Sequence, residues 1–435
     1  MKIPKDVHKY FLALTYVIGC FPILTFGMRS VITILWCLLG LLIFSKNRIA
    51  RKLNKDIWIF VLPYLLLLFS LTYSENLQSG IDSLIKMISF IIFPLIFYFN
   101  RDFFSKKQIS RIIYVFVLSV FLIIIYQVIH VVLNYTFITD NITFQEIKAN
   151  GFSTLTEISE EKVSQIKLRR FRNFIIKISN THTTYQGLWI SFAVFFLGSE
   201  FKKIKKNSLK IVNLFLIIVL IIWLYFISAR MPLLALLISS SLTILFFSNF
   251  SNLKLAKLGL IFSVVVVATL CFKNPFSIRV KEYYNTGLTL LEKSSKASEF
   301  NSSNVRNGIY YCDLKLVREN SIIGFGIGDI QDKLNSCYKS NLESEIYNWH
   351  TYNTHNQYFF FWISSGIFGV LALLILIFTI LQKSYKEKNK LLFFLLCLVS
   401  IVFLTESLLE RSDGLIFFSF FMGLLFFNKK RDILT

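Results

Sequence analysis

Residues 353–382 read NTHNQYFFFWISSGIFGVLALLILIFTILQ. Polar side chains and a histidine stand at the head of a run with no Asp, Glu, Lys or Arg from Asn356 to Gln382. As a helix, such a run crosses a hydrocarbon core of about 30 Å. Comparable runs recur through the 435-residue chain, which is 55% hydrophobic and contains 47 Phe. Soluble domains are nearer about 45–50% apolar. Twelve spans follow from hydropathy: 10–28, 31–45, 57–73, 81–100, 109–134, 181–198, 209–227, 231–248, 255–272, 355–382, 390–409 and 413–428. They predict an all-α polytopic membrane protein with about 12 transmembrane helices. The opening MKIPKDVHK has the basic start of a signal peptide, but the apolar run after it is too long and lacks a clear small-residue cleavage site, so a retained first helix is expected.

The net charge of +22 does not point to nucleic acid, because lysine and arginine lie mostly in short clusters between the apolar runs. Segments 1–9, 46–56, 101–111, 199–210, 249–257, 383–390 and 429–435 each hold two to five of them. The short segments between hold only Arg29, Arg230 and Arg411. This alternation fits the positive-inside rule with both termini cytoplasmic. Two long segments, 135–180 and 273–354, then fall on the outer face. The chain divides into residues 1–272 (helices 1–9 with loop 135–180), a large external loop at 273–354 between helices 9 and 10, and residues 355–435 (helices 10–12). The basic, aromatic-bearing stretch KLRRFRNFIIK (167–177) reads either as an amphipathic helix on anionic headgroups or as a solvated face. Cys312 and Cys337 share the second outer segment, where an oxidising exterior allows a disulfide that two cysteines alone do not establish.

Within SSNVRNGIYYCDLKLVRENSIIGFGIGDIQDKL (302–334) a helix is expected to open near Arg306 and stop at Asn320, followed by a glycine-rich turn. GFGIGD is not a dinucleotide fingerprint: the third glycine would fall at Asp329, and no strand precedes it. If residues 355–366 were helical, Phe359, Trp362 and Gly366 would share the face of His355. Gly366 and Gly369 would allow close helix contact. His350 and His355 are five apart, a spacing that does not aim two imidazoles at one ion on a helix, so no metal or cofactor is expected.

The ordered set of Arg306 opening a helix, IIGFGIGDI (322–330), and THNQYFFFWISSGIFGVLALL (354–374) at the last outer loop resembles the O-antigen ligase and O-antigen polymerase superfamily. SAR (228–230) and TESLLERSDG (405–414) are similar to further family features. One departure is Tyr310 or Tyr311 where members often carry tryptophan. The resemblance implies a GT-C-like, metal-independent, inverting glycosyltransferase on the outer face of the bacterial inner membrane, acting in lipopolysaccharide or other polysaccharide biosynthesis. Its donor would be an undecaprenyl-pyrophosphate-linked glycan among membrane lipids. Its acceptor would be lipid A core in a ligase, or a second lipid-linked glycan in a polymerase.

On that reading, Arg306 and Arg230 would hold the pyrophosphate, since a guanidinium stays charged and offers paired donors. Arg230 alternatively snorkels as an interfacial anchor. His355 would be the general base, because imidazole titrates near neutrality, and Asn356 would orient it or the substrate. His182 and Tyr185, in NTHTTYQG at another span's mouth, would face substrate or else belong to the interfacial belt. Gly326 and Arg411, in the family-like motifs, are further substrate-binding candidates. Among Glu406, Glu410 and Arg411 an ion pair is expected, because charge there is costly unless paired. A transporter or flippase is the alternative of another class. It fits twelve spans, but not the short segment 199–210 after the sixth span or the large outer loop.

Overall fold

The computed structural model describes residues 5–46, 55–247, 284, 286–291 and 300–428, and among these the chain is helical with no strand. In order the helices are α1 (Lys5–Gly19), α2 (Phe26–Lys46), α3 (Lys55–Ser70), α4 (Leu77–Met87), α5 (Ser89–Phe99), α6 (Lys106–Leu133), α7 (Tyr135–Thr139), α8 (Phe144–Ala149), α9 (Glu160–Ser179), α10 (Thr183–Glu200), α11 (Asn207–Phe226) and α12 (Arg230–Phe247). Then come α13 (Ser302–Glu319), α14 (Ile330–Cys337), α15 (Ile346–Trp349), α16 (Gln357–Lys386), α17 (Lys390–Val402) and α18 (Ser412–Phe427).

The protein is a multi-pass membrane protein. Among the described residues seven helical segments are long and apolar enough to cross a bilayer: 26–45, 55–73, 77–99, 106–133, 207–226, 230–247 and 357–386. Expected span 255–272 lies outside the described residues. The other expected spans overlap helices, but α17 and α18 are apolar and short. Span 390–409 in particular ends early, at Val402. The chain turns there because Thr405, Glu406 and Ser407 bring polar groups that a bilayer helix does not accommodate unpaired.

Helices apolar all round belong in the interior of a bundle. In α18 every residue from Asp413 to Phe427 is buried, and the helix packs most extensively on α5. α2 instead exposes Val31, Ile34, Leu35 and Leu38, as a lipid-facing helix does. Polar side chains within the bundle pair across helices: Gln127 donates to Gln186 (3.0 Å), and Trp223 Nε1 donates to Gln127 (3.0 Å), joining α6, α10 and α11.

α16 is not one continuous helix. Ser365 (φ −126°, ψ 16°) and Gly366 (φ 64°, ψ −159°) leave helical geometry, which frees backbone groups that lipid cannot satisfy. Residues 321–326 supply the missing partners. Phe325 N donates to Ile363 O (2.8 Å), Gly326 N to Ser364 O (2.9 Å), and Ile367 N to Ser321 O (2.9 Å). The glycine-rich turn is therefore a staple. Its far side is fixed by Ser70 Oγ and Ser74 Oγ, which accept from Ile327 N and Gly328 N (both 3.1 Å), and by Asp329, whose carboxylate accepts from Glu75 N and Asn76 N at 2.8 Å.

The basic stretch 167–177 lies in α9, which packs against α6, α7 and α10. Arg170 pairs with Glu146 and reaches the carbonyls of Phe137, Asp140 and Asn141, tying residues 137–146 down. That pairing holds the Glu146 carboxyl down at about 2. A Cys312–Cys337 disulfide joins α13 to α14.

Candidate active site

Helices α10, α12, α16 and α18 all begin at one end of the bundle, and their first turns carry the residues singled out from sequence. His182 caps α10, with Nδ1 accepting from Thr184 N (3.3 Å). Arg230 is the first residue of α12, and the preceding Ala229 and the helix's Pro232 lie against Gly187 of α10. Asn356 caps α16, accepting from Tyr358 N (2.9 Å) and Phe359 N (3.1 Å), and donates to Leu404 O (3.1 Å). Arg411 is the N-cap residue of α18.

α13 brings Arg306 to this end. The helix opens at Ser302, earlier than expected, because Asn301 and Asn304 form a reciprocal cap. Arg306, Tyr310 and Asp313 share its face at i, i+4 and i+7. That face meets the loop 403–411 left by the early end of α17: Arg306 Nη2 lies 3.2 Å from Glu406 Oε1, and Tyr310 Oη donates to Leu404 O (3.3 Å). Tyr310 also faces the ring of Phe359 (6.3 Å), so of the two tyrosines following Arg306 it is the one turned to the site.

His355 lies 3.5 Å, Nδ1 to Oε2, from the same Glu406 carboxylate. One buried acid thus sits between the arginine and the histidine. Burial alone would raise the Glu406 carboxyl, but the side chain of His355, together with Arg306 and His182, outweighs it and holds the group below its ordinary value. Glu410, a turn further on, goes the other way. Burial raises it despite Ser407, Arg411 and the Asn353 amide, which donates to it at 2.9 Å. The ion pair expected among Glu406, Glu410 and Arg411 is replaced by one between Glu406 and Arg306 of α13, with His355 beside it.

His355 does not belong to α16. It precedes the Asn356 cap with φ 43°, and the helix breaks at Ser365–Gly366, so the expected shared face through Phe359, Trp362 and Gly366 does not extend from it. The backbone is instead set by Asn353 Oδ1, which accepts from His355 N (3.2 Å), and by Thr354 Oγ1, which meets Ser407 Oγ (2.8 Å). Gln357 N donates to Phe403 O and Gln357 Oε1 accepts from Leu409 N, both at 2.8 Å. The two loops are thereby stitched together.

Among the sequence candidates, Arg306, His355 and His182 act on Glu406, Asn356 is bonded to Leu404 of the same loop, and Arg411 acts on Glu410. His182 feels the charges of Glu406, Arg172, His355 and Arg411. Tyr185 is buried one turn into α10, its ring 6.2 Å from that of His182. Gly326 stands in the staple instead, at φ 95°, where a Cβ would come within 2.2 Å of Ser74 Oγ. Two participants were not singled out. Arg172, hidden in the basic stretch, donates to Thr183 Oγ1 (2.8 Å) beside His182. It lies two residues from Arg170, so the two face different sides of α9. Asn353 braces both His355 and Glu410.

Residues 214–374 match the Wzy_C family model, described as O-antigen ligase. Over that segment, less than half of the chain, the protein is similar to the O-antigen ligase family. The matched segment contains Arg230, Arg306, Gly326, His355 and Asn356, whereas His182, Glu406 and Arg411 lie outside it. Members of the family are glycosyltransferases, either ligases or polymerases. No curated protein gives a significant match to the chain.

Proposed function

We propose that the protein transfers a glycan from an undecaprenyl pyrophosphate carrier to an acceptor hydroxyl at the outer face of the bacterial inner membrane, as an O-antigen ligase with lipid A core as acceptor. The observation that carries this reading is the convergence of Arg306 and His355 on one end of the bundle, at a single buried carboxylate.

The chemistry follows from the residues. Helices α10, α12, α16 and α18 present their N-terminal ends here, and the positive ends of their dipoles favour an anion such as pyrophosphate. Arg306 keeps more than a third of its side chain exposed, and its ion pair with Glu406 through Nη2 leaves other guanidinium N–H donors for a phosphate. Arg230 and Arg411 supply further positive charge. His355 accepts the proton of the attacking hydroxyl as that oxygen bonds to the anomeric carbon from the face opposite the departing pyrophosphate, so configuration inverts. No metal enters these steps, and the fold class is GT-C-like.

A polymerase joining two lipid-linked repeats uses the same steps, and the family match favours it equally. The test is to supply purified protein with lipid-linked glycan and either lipid A core or a second lipid-linked glycan, without an ion gradient. Product on lipid A core supports the ligase, and lengthened lipid-linked glycan supports the polymerase. Gradient-dependent movement of unmodified glycan would instead reveal a transporter.

A further inference from the structure

We infer that the Cys312–Cys337 bond is made by a thiol–disulfide exchange protein of the outer compartment before the staple docks, so that completion of α16 and placement of Arg306 both wait on that oxidation. This rests on the outer-face location in the proposed function, where disulfide oxidants operate.

The bond joins positions 25 apart, from the second half of α13 to the last residue of α14. The whole staple, residues 321–326, lies inside that covalent ring. Arg306 stands six positions before Cys312 on the same helix. At the other arm, α14 starts at the Asp329 cap, whose carboxylate accepts from Glu75 N and Asn76 N. A continuous strut thus runs from the head of α4 through α14 and the two sulfurs to the helix that carries Arg306.

The ring matters because of what the staple must do. Its Gly324 and Gly326 sit at φ 80° and 95°, and glycine gives up more conformational freedom on ordering than any other residue. Closing a ring around the turn removes part of that freedom in advance. Until the turn docks, Ile363 O, Ser364 O and Ile367 N of the broken helix lack the partners that residues 321–326 supply, and the bilayer edge penalises them.

The order of events follows from burial. Cys312 is 0% and Cys337 5% exposed, in the same apolar cluster as Ile309, Leu316, Leu334 and Tyr338. Exchange requires a thiolate to reach a sulfur of another disulfide, and a protein oxidant cannot reach these two once the arms have closed. The bond therefore forms on the open hairpin. One cysteine thiolate attacks the oxidant's disulfide to give a mixed disulfide, and the second cysteine thiolate then attacks the first cysteine's sulfur and expels the oxidant. Two electrons and the two thiol protons pass to the oxidant, whose disulfide becomes a dithiol.

The experiment compares the full chain made in cells with and without dithiothreitol during synthesis, beside the double variant Cys312→Ala, Cys337→Ala. The readouts are maleimide labelling, trypsin cleavage at Lys315, Arg318 and Lys333 on reducing gels, and glycan transfer. Chain made under reductant should be labelled above the double variant's background and cut about tenfold faster or more, with transfer reduced about tenfold or more. Oxidised glutathione should restore slow cleavage and transfer. The double variant should match the reduced chain and respond to neither reagent. Should it not accumulate, the reduced wild type, identical in sequence, carries the comparison.

Dithiothreitol added to the normally made, folded protein should leave all three readouts unchanged over the time in which it fully reduces oxidised glutathione. Slow cleavage and full transfer in the reduced chain or the variant overturn the inference, as does ready reduction of the folded protein. Labelling and cleavage that respond as expected, with no transfer in any sample, overturn the proposed function instead and leave the order of oxidation and docking standing.

Discussion

His355 occupies a left-handed backbone conformation that costs a non-glycine residue on the order of 1–3 kcal/mol unless its surroundings enforce it. Asn353 and Thr354 do the enforcing, whereas His350 is exposed and makes an edge contact with Tyr352. His355→Ala should therefore cut turnover by about two to four orders of magnitude, roughly 3 to 5 kcal/mol of barrier, with the protein folded and donor still bound. His350→Ala should do far less, and single-turnover rates of the two variants decide the matter. Asp313 is the site's other unusual acid. It is fully buried, neither carboxyl oxygen has a hydrogen-bond partner among the described residues, and burial, with Glu410 nearby, pushes it well above its ordinary value. The folded state then holds a proton that the unfolded state releases above about pH 4, so stability falls as pH rises from there toward the folded-state value. Asp313→Asn removes that dependence. Thermal unfolding followed from pH 4.5 to 8 should give a flatter profile for the variant than for the wild type.

Between elements, the decisive contact is the staple of residues 321–326 into the broken α16. Gly366 sits at φ 64°, and a Cβ there would meet Ile322 O at 2.0 Å. Gly366→Ala should thus lose at least about 2 kcal/mol, seen as a lowered unfolding midpoint in detergent with m unchanged. The sequence signalled this element only in part. Gly366 and Gly369 read as close-contact glycines, and GFGIGD as a turn, because local spacing reports helix faces and turns. It does not report that a backbone 40 residues away completes a hydrogen-bond ladder. The same limit applies at the site. Arg306 and His355 were legible because each stands in a dense local pattern next to a helix start. The carboxylate between them is 51 positions after His355, in a stretch whose hydropathy had extended α17 past its true end at Val402. Only the fold brings it back.

For the whole molecule, apolar run length located the described apolar helices, since bilayer thickness acts on sequence directly, but not α7, α8, α9, α14 or α15 of the two long segments, where such runs are absent. α17 stops at Val402, short of the expected 409, whereas α18 matches the length of its expected span and is buried from residue 413 to 427, so that protein rather than lipid surrounds it. Sidedness is open to test. Lys315, 38% exposed in the large loop, and Lys203, 72% exposed in the segment after α10, should lie across the membrane from each other. In intact cells an impermeant maleimide should label Lys315→Cys above the wild-type background and leave Lys203→Cys unlabelled. Equal labelling would overturn the assignment of both faces. The staple also limits how relatives can be recombined. A chimera that imports a foreign segment 302–352 to change acceptor preference, but keeps the native 357–386, would strand Ile363 O, Ser364 O and Ile367 N without partners at the edge of the bilayer. Loop and broken helix are one transplantable cassette, so specificity in this architecture is inherited by the pair rather than by the loop.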